Sequence, residues 1–165
     1  MKEFHIIYDK SAITNTIIAI AIVGVLFVVF NFYLSKKVDF RLIIADAIMI
    51  IPLLIAFLFA PKSYIVDKTD ITIKKYYGNI VIPRNDIKSI SELKANDLSG
   101  IYRKFASGGF FGYFGKYNSK KLNDFDIYSG SLSSNLVMIE KTDGSKYLIT
   151  PKEIELFFKT VNQKR

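Results

Sequence analysis

The chain of 165 residues contains no cysteine and no tryptophan, and its one histidine is His5. Without cysteine there is no disulfide framework, no thiolate zinc site and no thiol nucleophile. His5 lies ahead of the first long apolar run, so no histidine follows the second run to serve general-base or transition-metal chemistry. No metal and no cofactor is expected on these grounds. Acid is scarce as well: 15 Asp and Glu stand against 23 Lys and Arg, a formal net charge of +8. The excess falls late. Residues 62–165 carry 18 Lys and Arg against 11 Asp and Glu, a net +7.

The first third of the chain is short of charge of either sign. Two apolar runs, residues 12–34 and 42–60, are 23 and 19 residues long and are separated by Ser35-Lys36-Lys37-Val38-Asp39-Phe40-Arg41. A bilayer core of about 30 Å needs about 20 apolar helical residues, so each run fits one crossing. The first run exceeds the roughly 7–15 apolar residues of a secretory signal, and no small-x-small cleavage pattern precedes Lys36, so we read it as a retained helix. The expected organisation is an N-terminal arm (residues 1–11), a two-helix membrane hairpin (12–61) and one small domain (62–165).

Two crossings return the chain to the side it started from. Lys2, Lys10, Lys62, Lys68, Lys74 and Lys75 flank the hairpin on that side, against Lys36, Lys37 and Arg41 in the loop. The balance favours cytoplasmic termini. Asp46 and Asn31 fall at similar depth in a tight hairpin, so a hydrogen bond between them is expected; the alternative is that Asp46 turns to Lys37 or Arg41 at the interface. Pro52 should bend the second helix. Neither span has a polar face along its length, so a pore is not expected.

After Pro61 the pattern changes to short alternating segments. Tyr64-Ile65-Val66 and the run from Ile71 to Tyr77 read as strands, and Gly78-Asn79 turns into Ile80-Val81-Ile82. Further strands are expected over 86–93, 125–129, 134–141 and 145–149, the last two joined by Thr142-Asp143-Gly144. Thr150, Pro151 and Glu153 form a helix-start signature, and Ile154, Phe157, Phe158 and Val161 give that helix (151–162) one apolar face. The count is about seven strands in a bent sheet or half-open barrel, closed by one C-terminal helix.

One stretch is distinctive. The 26 residues between Asp97 and Asp124 hold no acid, and contain Arg103, Lys104, Lys116, Lys120 and Lys121. They also hold seven aromatics: Tyr102, Phe105, Phe110, Phe111, Tyr113, Phe114 and Tyr117. At the centre is Gly108-Gly109-Phe110-Phe111-Gly112-Tyr113-Phe114-Gly115. It lacks the Lys-Ser/Thr ending of a nucleotide-binding P-loop. A single-strand nucleic-acid platform shares this interleaving, but a membrane anchor argues against it, and nucleic acid is not an expected partner. Two readings remain: a glycine-punctuated strand pair whose aromatics enter the core, and an interfacial loop whose aromatics enter the headgroup layer while its lysines meet anionic lipid.

Arg103 followed by this glycine-aromatic block resembles the signature of bacterial pleckstrin-homology-like (PH-like) domain proteins. The Ser134 to Ile139 strand, the Asp143-Gly144 hairpin and the Thr150-Pro151 helix start are similar too, so the resemblance covers residues 64–161. It implies a seven-stranded bent sheet capped by a C-terminal helix, carried after membrane helices in a bacterial cell membrane. It implies no catalytic residues. Pleckstrin-homology folds elsewhere bind phosphoinositides through a basic first hairpin; Lys68, Lys74 and Lys75 fall near the equivalent hairpin, but the phosphoinositide pattern itself is not evident.

The expectation is therefore a membrane α-helical hairpin followed by a mainly-β PH-like domain. Its expected function is a non-enzymatic scaffold contacting anionic phospholipid or a protein partner through Arg103, Lys104, Phe110, Phe111, Tyr113, Phe114, Lys116, Lys120 and Lys121. The alternative is an accessory subunit that docks beside another membrane protein through Asn31, Asp46 and the Gly24 region. As an enzyme its only candidates would be Asp124 and Asp126, two apart on a strand and near Arg103.

Overall fold

The computed structural model describes residues 1–34 and 40–163. Two helices, α1 (Lys10–Val28) and α2 (Phe40–Phe59), take up the apolar runs, and α1 continues through a π-helical turn at Val29–Leu34. Both are long and apolar enough to cross a membrane. Asp9 caps α1 by accepting from the Ala12 N–H at 2.7 Å, satisfying one of the free donors at a helix start. Pro52 lies inside α2. Lys36 and Lys37 of the connecting loop lie outside the described residues.

The described residues form ten strands in two sheets. The first sheet has the order β1-β2-β3-β4, all antiparallel: β1 (Lys2–His5), β2 (Pro61–Val66), β3 (Asp70–Lys75) and β4 (Ile80–Pro83). The second has the order β5-β9-β10-β8-β7-β6, built from β5 (Ile87–Leu93), β6 (Tyr102–Gly108), β7 (Tyr113–Ser119), β8 (Asn123–Ser129), β9 (Leu136–Lys141) and β10 (Lys146–Ile149). Only the β8–β10 contact is parallel. Helix α3 (Ile154–Asn162) closes the domain. This is a PH-like architecture, with nine strands after the helices where about seven were expected.

Three local expectations need correction. The N-terminal arm is a strand of the domain: β1 pairs with β2 from Lys2 opposite Val66 to His5 opposite Ser63. His5 is thus brought into the domain's sheet, though on an exposed position. Second, α3 begins at Ile154 and not at Pro151. The Thr150 hydroxyl does not cap it, because that oxygen accepts from the Gly130 N–H (3.1 Å) and lies 3.0 Å from the Ser129 hydroxyl inside the core. Third, the strand expected from Ser134 starts at Leu136, after Asn135 takes a positive φ of 53°.

The middle of the six-stranded sheet, at β9 and β10, buries both faces, and successive residues there divide between two cores as the pleat requires. Val137, Ile139 and Ile149 join Phe4, Tyr64, Ile71, Ile73 and Phe157 between the sheets and α3. Leu136, Met138 and Leu148 join Tyr113, Tyr117, Phe125 and Ile127, with Ala12 of α1, on the other side. The four-stranded sheet does not cover the whole first face. Where it ends, over β6, β7 and β8, α2 forms the opposing wall.

Candidate functional site

The glycine-aromatic block is a hairpin turn that grips the bases of both apolar helices. β6 and β7 pair from Tyr102 opposite Asn118 to Gly108 opposite Tyr113, leaving residues 109–112 as the turn. The Ser107 hydroxyl donates to the Phe110 carbonyl at 2.7 Å, with the Gly112 carbonyl at 3.0 Å, and so ties the turn to its own strand. Phe111, at φ 56°, donates its backbone N–H to the Thr16 hydroxyl of α1 at 2.8 Å. Its ring meets Phe57 of α2 edge-on at 5.5 Å. A second turn grips α2 alone. Tyr76 stacks on Phe57 at 4.2 Å, Tyr77 meets Phe59 edge-on at 6.2 Å, and the Tyr77 N–H donates to the Leu58 carbonyl at 2.8 Å.

Gly115 makes the hairpin geometry possible. Its φ is +109°, and a Cβ there would sit 2.5 Å from the Phe105 carbonyl oxygen and 2.8 Å from the Ala106 Cα. No side chain fits that approach, and few would adopt that φ.

Between α2 and the open face of β6–β8 runs an open groove of about 1030 Å³. Its helix wall is Pro52, Ile55, Ala56 and Phe59, spaced i, i+3, i+4 and i+7 and therefore on one side of α2. Its floor is two cross-strand rows, Phe114 opposite Tyr128 and Lys116 opposite Asp126. Phe110 and Phe105 stand at its sides, and Phe105 is 87% exposed. Arg103 joins the lining from the start of β6, and its guanidinium occupies the space that a side chain at Gly108 would fill. Lys75 lies over the rings of Phe59 (5.2 Å) and Tyr128 (5.7 Å), at the same wall, and burial holds its ammonium below the ordinary lysine range.

Charge at the groove is unevenly partnered. Lys104 is paired with Asp124 at 2.7 Å. The Asn118 amide also donates to that carboxylate, and together with Lys104 holds Asp124 below the usual carboxylate range. Lys75, Arg103 and Lys116 make no ion pair among the described residues, against one half-buried carboxylate, Asp126. Burial raises the Asp126 pKa, and the nearby Lys116 opposes that rise.

The residues singled out from sequence are therefore divided. Arg103, Lys104, Phe110, Phe114 and Lys116 come together at the groove, and Phe111 turns to the helices. Tyr113 is core, 8% exposed, with its hydroxyl 3.5 Å from Asp9. Lys120 and Lys121 sit at the β7–β8 turn, four and five residues past Lys116, at most roughly 13–17 Å from it at about 3.3 Å per residue. There Lys121 pairs with Asp97. In the hairpin, Asn31 Nδ2 donates to the Phe27 carbonyl at 2.9 Å and lies 3.2 Å from both carboxylate oxygens of Asp46. The sequence does not mark out the α2 wall, and it places Lys75 near the basic first hairpin without joining it to Arg103 and Lys116. The 52-55-56-59 spacing is visible in the sequence, but α2 is apolar throughout residues 47–59 and offers no polar face there to single it out. Among the described residues no group of three or more His, Asp or Glu is placed to hold a metal ion.

The family model for the bacterial PH domain matches residues 62–165. The chain belongs to that family. No curated protein and no solved structure matches the chain. The matched stretch of the bacterial PH domain omits β1, so the sheet of this member is completed by a strand that precedes both apolar helices.

Proposed function

We propose that this bacterial PH domain protein is a non-enzymatic, two-span membrane protein that holds one end of its domain against anionic lipid headgroups, with both termini in the cytoplasm. The observation that carries this is the double grip on the helix bases. Phe111 reaches Thr16 and Phe57, and Tyr76 and Tyr77 reach Phe57 and Phe59, all within or beside the apolar runs. An aromatic rim at the level where a span meets water is what the headgroup layer favours. Residues 62–165, at net +7, are then held beside the leaflet whose surface is negative. A non-enzymatic role is supported by the tied state of Asp124 and the separate placement of Asp126 in the groove floor. Docking to another membrane protein through Asn31 and Asp46 is less favoured, because the two groups engage each other within the hairpin.

The test uses the full chain in nanodiscs, with amide hydrogen exchange compared between phosphatidylcholine alone and phosphatidylcholine mixed with phosphatidylglycerol. Anionic lipid should slow exchange in β6, β7 and the turn between them, and high salt should erase the difference, since such contacts are screened over about 8–10 Å. Equal exchange in the two lipids at low salt refutes the proposal.

A further inference from the structure

The groove between α2 and the β6–β8 face has the two-part chemistry of a single lipid molecule. One wall belongs to an apolar helix: Pro52, Ile55, Ala56 and Phe59 extend the groove about 10 Å up α2 at 1.5 Å per residue. The opposite side carries Arg103 and Lys116, neither ion-paired among the described residues, with Lys75 over the ring of Phe59. An acyl chain needs the first surface and an anionic headgroup the second. The volume of about 1030 Å³ exceeds that of a headgroup alone.

We infer that this groove seats one anionic phospholipid, its phosphate held by Arg103 and Lys116 and one acyl chain laid along Pro52, Ile55, Ala56 and Phe59. The inference rests on the reading that α1 and α2 cross a bilayer, because only then does the α2 wall open sideways to lipid. It adds a defined stoichiometry to what would otherwise be diffuse attraction. A free phosphate would satisfy the cations but leave the apolar wall wet. A zwitterionic lipid would fill the wall but place its own cation among Lys75, Arg103 and Lys116. Asp126 opposes an anion, but it lies opposite Lys116 in the β7–β8 register, and the cations at the groove outnumber it.

The experiment is native mass spectrometry of the full chain in detergent, titrated with phosphatidylglycerol and separately with phosphatidylcholine. The account expects one phosphatidylglycerol retained per chain, at least about tenfold tighter than phosphatidylcholine, the scale of a charge-assisted hydrogen bond. Arg103→Ser with Lys116→Ser should remove that preference; both side chains are on exposed positions, so the fold should survive, as a melting curve would check. Ala56→Trp should block retention of both lipids by filling the wall. Lys120→Ser with Lys121→Ser removes the same charge at the far turn and should change nothing. Equal retention of the two lipids, an equal loss in the Lys120/Lys121 variant, or full retention in Ala56→Trp would each overturn the inference. If exchange in nanodiscs still responds to anionic lipid while no single lipid is retained, the groove fails and the membrane-facing reading stands. If neither responds, both fail.

Discussion

Cutting the chain where the family match begins should produce a protein that does not fold as the whole does. Phe4 is 1% exposed, meets Phe157 of α3 edge-on at 5.3 Å, and has the Lys2 ammonium 5.8 Å from its ring centre. Replacing a buried phenylalanine by alanine costs about 3–5 kcal/mol, since the cavity term adds to the lost transfer energy. The aromatic pair contributes about 0.5–1.5 kcal/mol of that. Phe4→Ala in the full chain should therefore lose about 3–5 kcal/mol in urea unfolding in mild detergent, followed by the far-ultraviolet signal of the strands. Phe105→Ala is the matched control: the same substitution at 87% exposure should stay within about 0.5 kcal/mol of the parent. Removing residues 1–61 altogether also leaves β2 an open edge and uncovers Ser63, Tyr64, Ile65 and Val66, all buried in the whole chain. A loss under about 1 kcal/mol for Phe4→Ala, or a fragment 62–165 as stable as the full chain, would refute the assignment of β1 to the domain.

Two glycines should respond in opposite ways. Gly115→Ala forces a Cβ against backbone at a positive φ and should cost roughly 2–5 kcal/mol in the same unfolding assay. Gly24→Ala, with nothing within 4 Å of its ideal Cβ, should be neutral or gain up to about 1 kcal/mol from helix propensity. Asn31→Leu leaves the Asp46 carboxylate without its amide partner and should weaken the hairpin by about 0.6–1.7 kcal/mol, read by steric trapping of the two helices in bicelles. Alkaline titration should be staged, and the absence of tryptophan leaves the phenolate absorbance of the ten tyrosines clean. Burial lifts Tyr8, Tyr117 and Tyr128 to about 12 and Tyr64 further up, so these four should ionise last. Because their folded values are raised, their contribution to stability is complete below the ordinary tyrosine value near 10 and fades as pH rises through the folded ones. Full ionisation of all ten by pH 11 with the fold intact would contradict the burial assigned to them.

Much of this architecture was legible because local signals agreed with the fold. The apolar runs fall on α1 and α2, and the Gly78 and Gly144 turns take the positive φ their sequences ask for, 66° and 85°. What escaped was set by long-range pairing. β1 is four residues with one buried side chain, too short for its alternation to show, and its partner lies about sixty residues away across the hairpin. Thr150 carried a helix-cap signature that the core overrode, since Ser129 and Gly130 take its hydroxyl. The basic cluster looked continuous along the chain, but a hairpin turns at residues 109–112, so Lys120 and Lys121 end up at the opposite end of β7 from the helix bases. Periodicity reports which face a residue takes, not which end of a strand meets the membrane.

On the membrane-facing reading, the end of the domain bearing Tyr76, Tyr77 and residues 109–112 lies in the headgroup layer. A tryptophan introduced into this tryptophan-free chain tests it directly. Tyr77→Trp, at a position 65% exposed beside Phe59, is reconstituted in vesicles containing brominated lipid, with Lys120→Trp as the distant reference. The account predicts that the indole of the Tyr77→Trp variant is quenched by the brominated lipid and shielded from aqueous iodide, with the reverse for Lys120→Trp. Iodide quenching of both variants, with no response of Tyr77→Trp to brominated lipid, would contradict it.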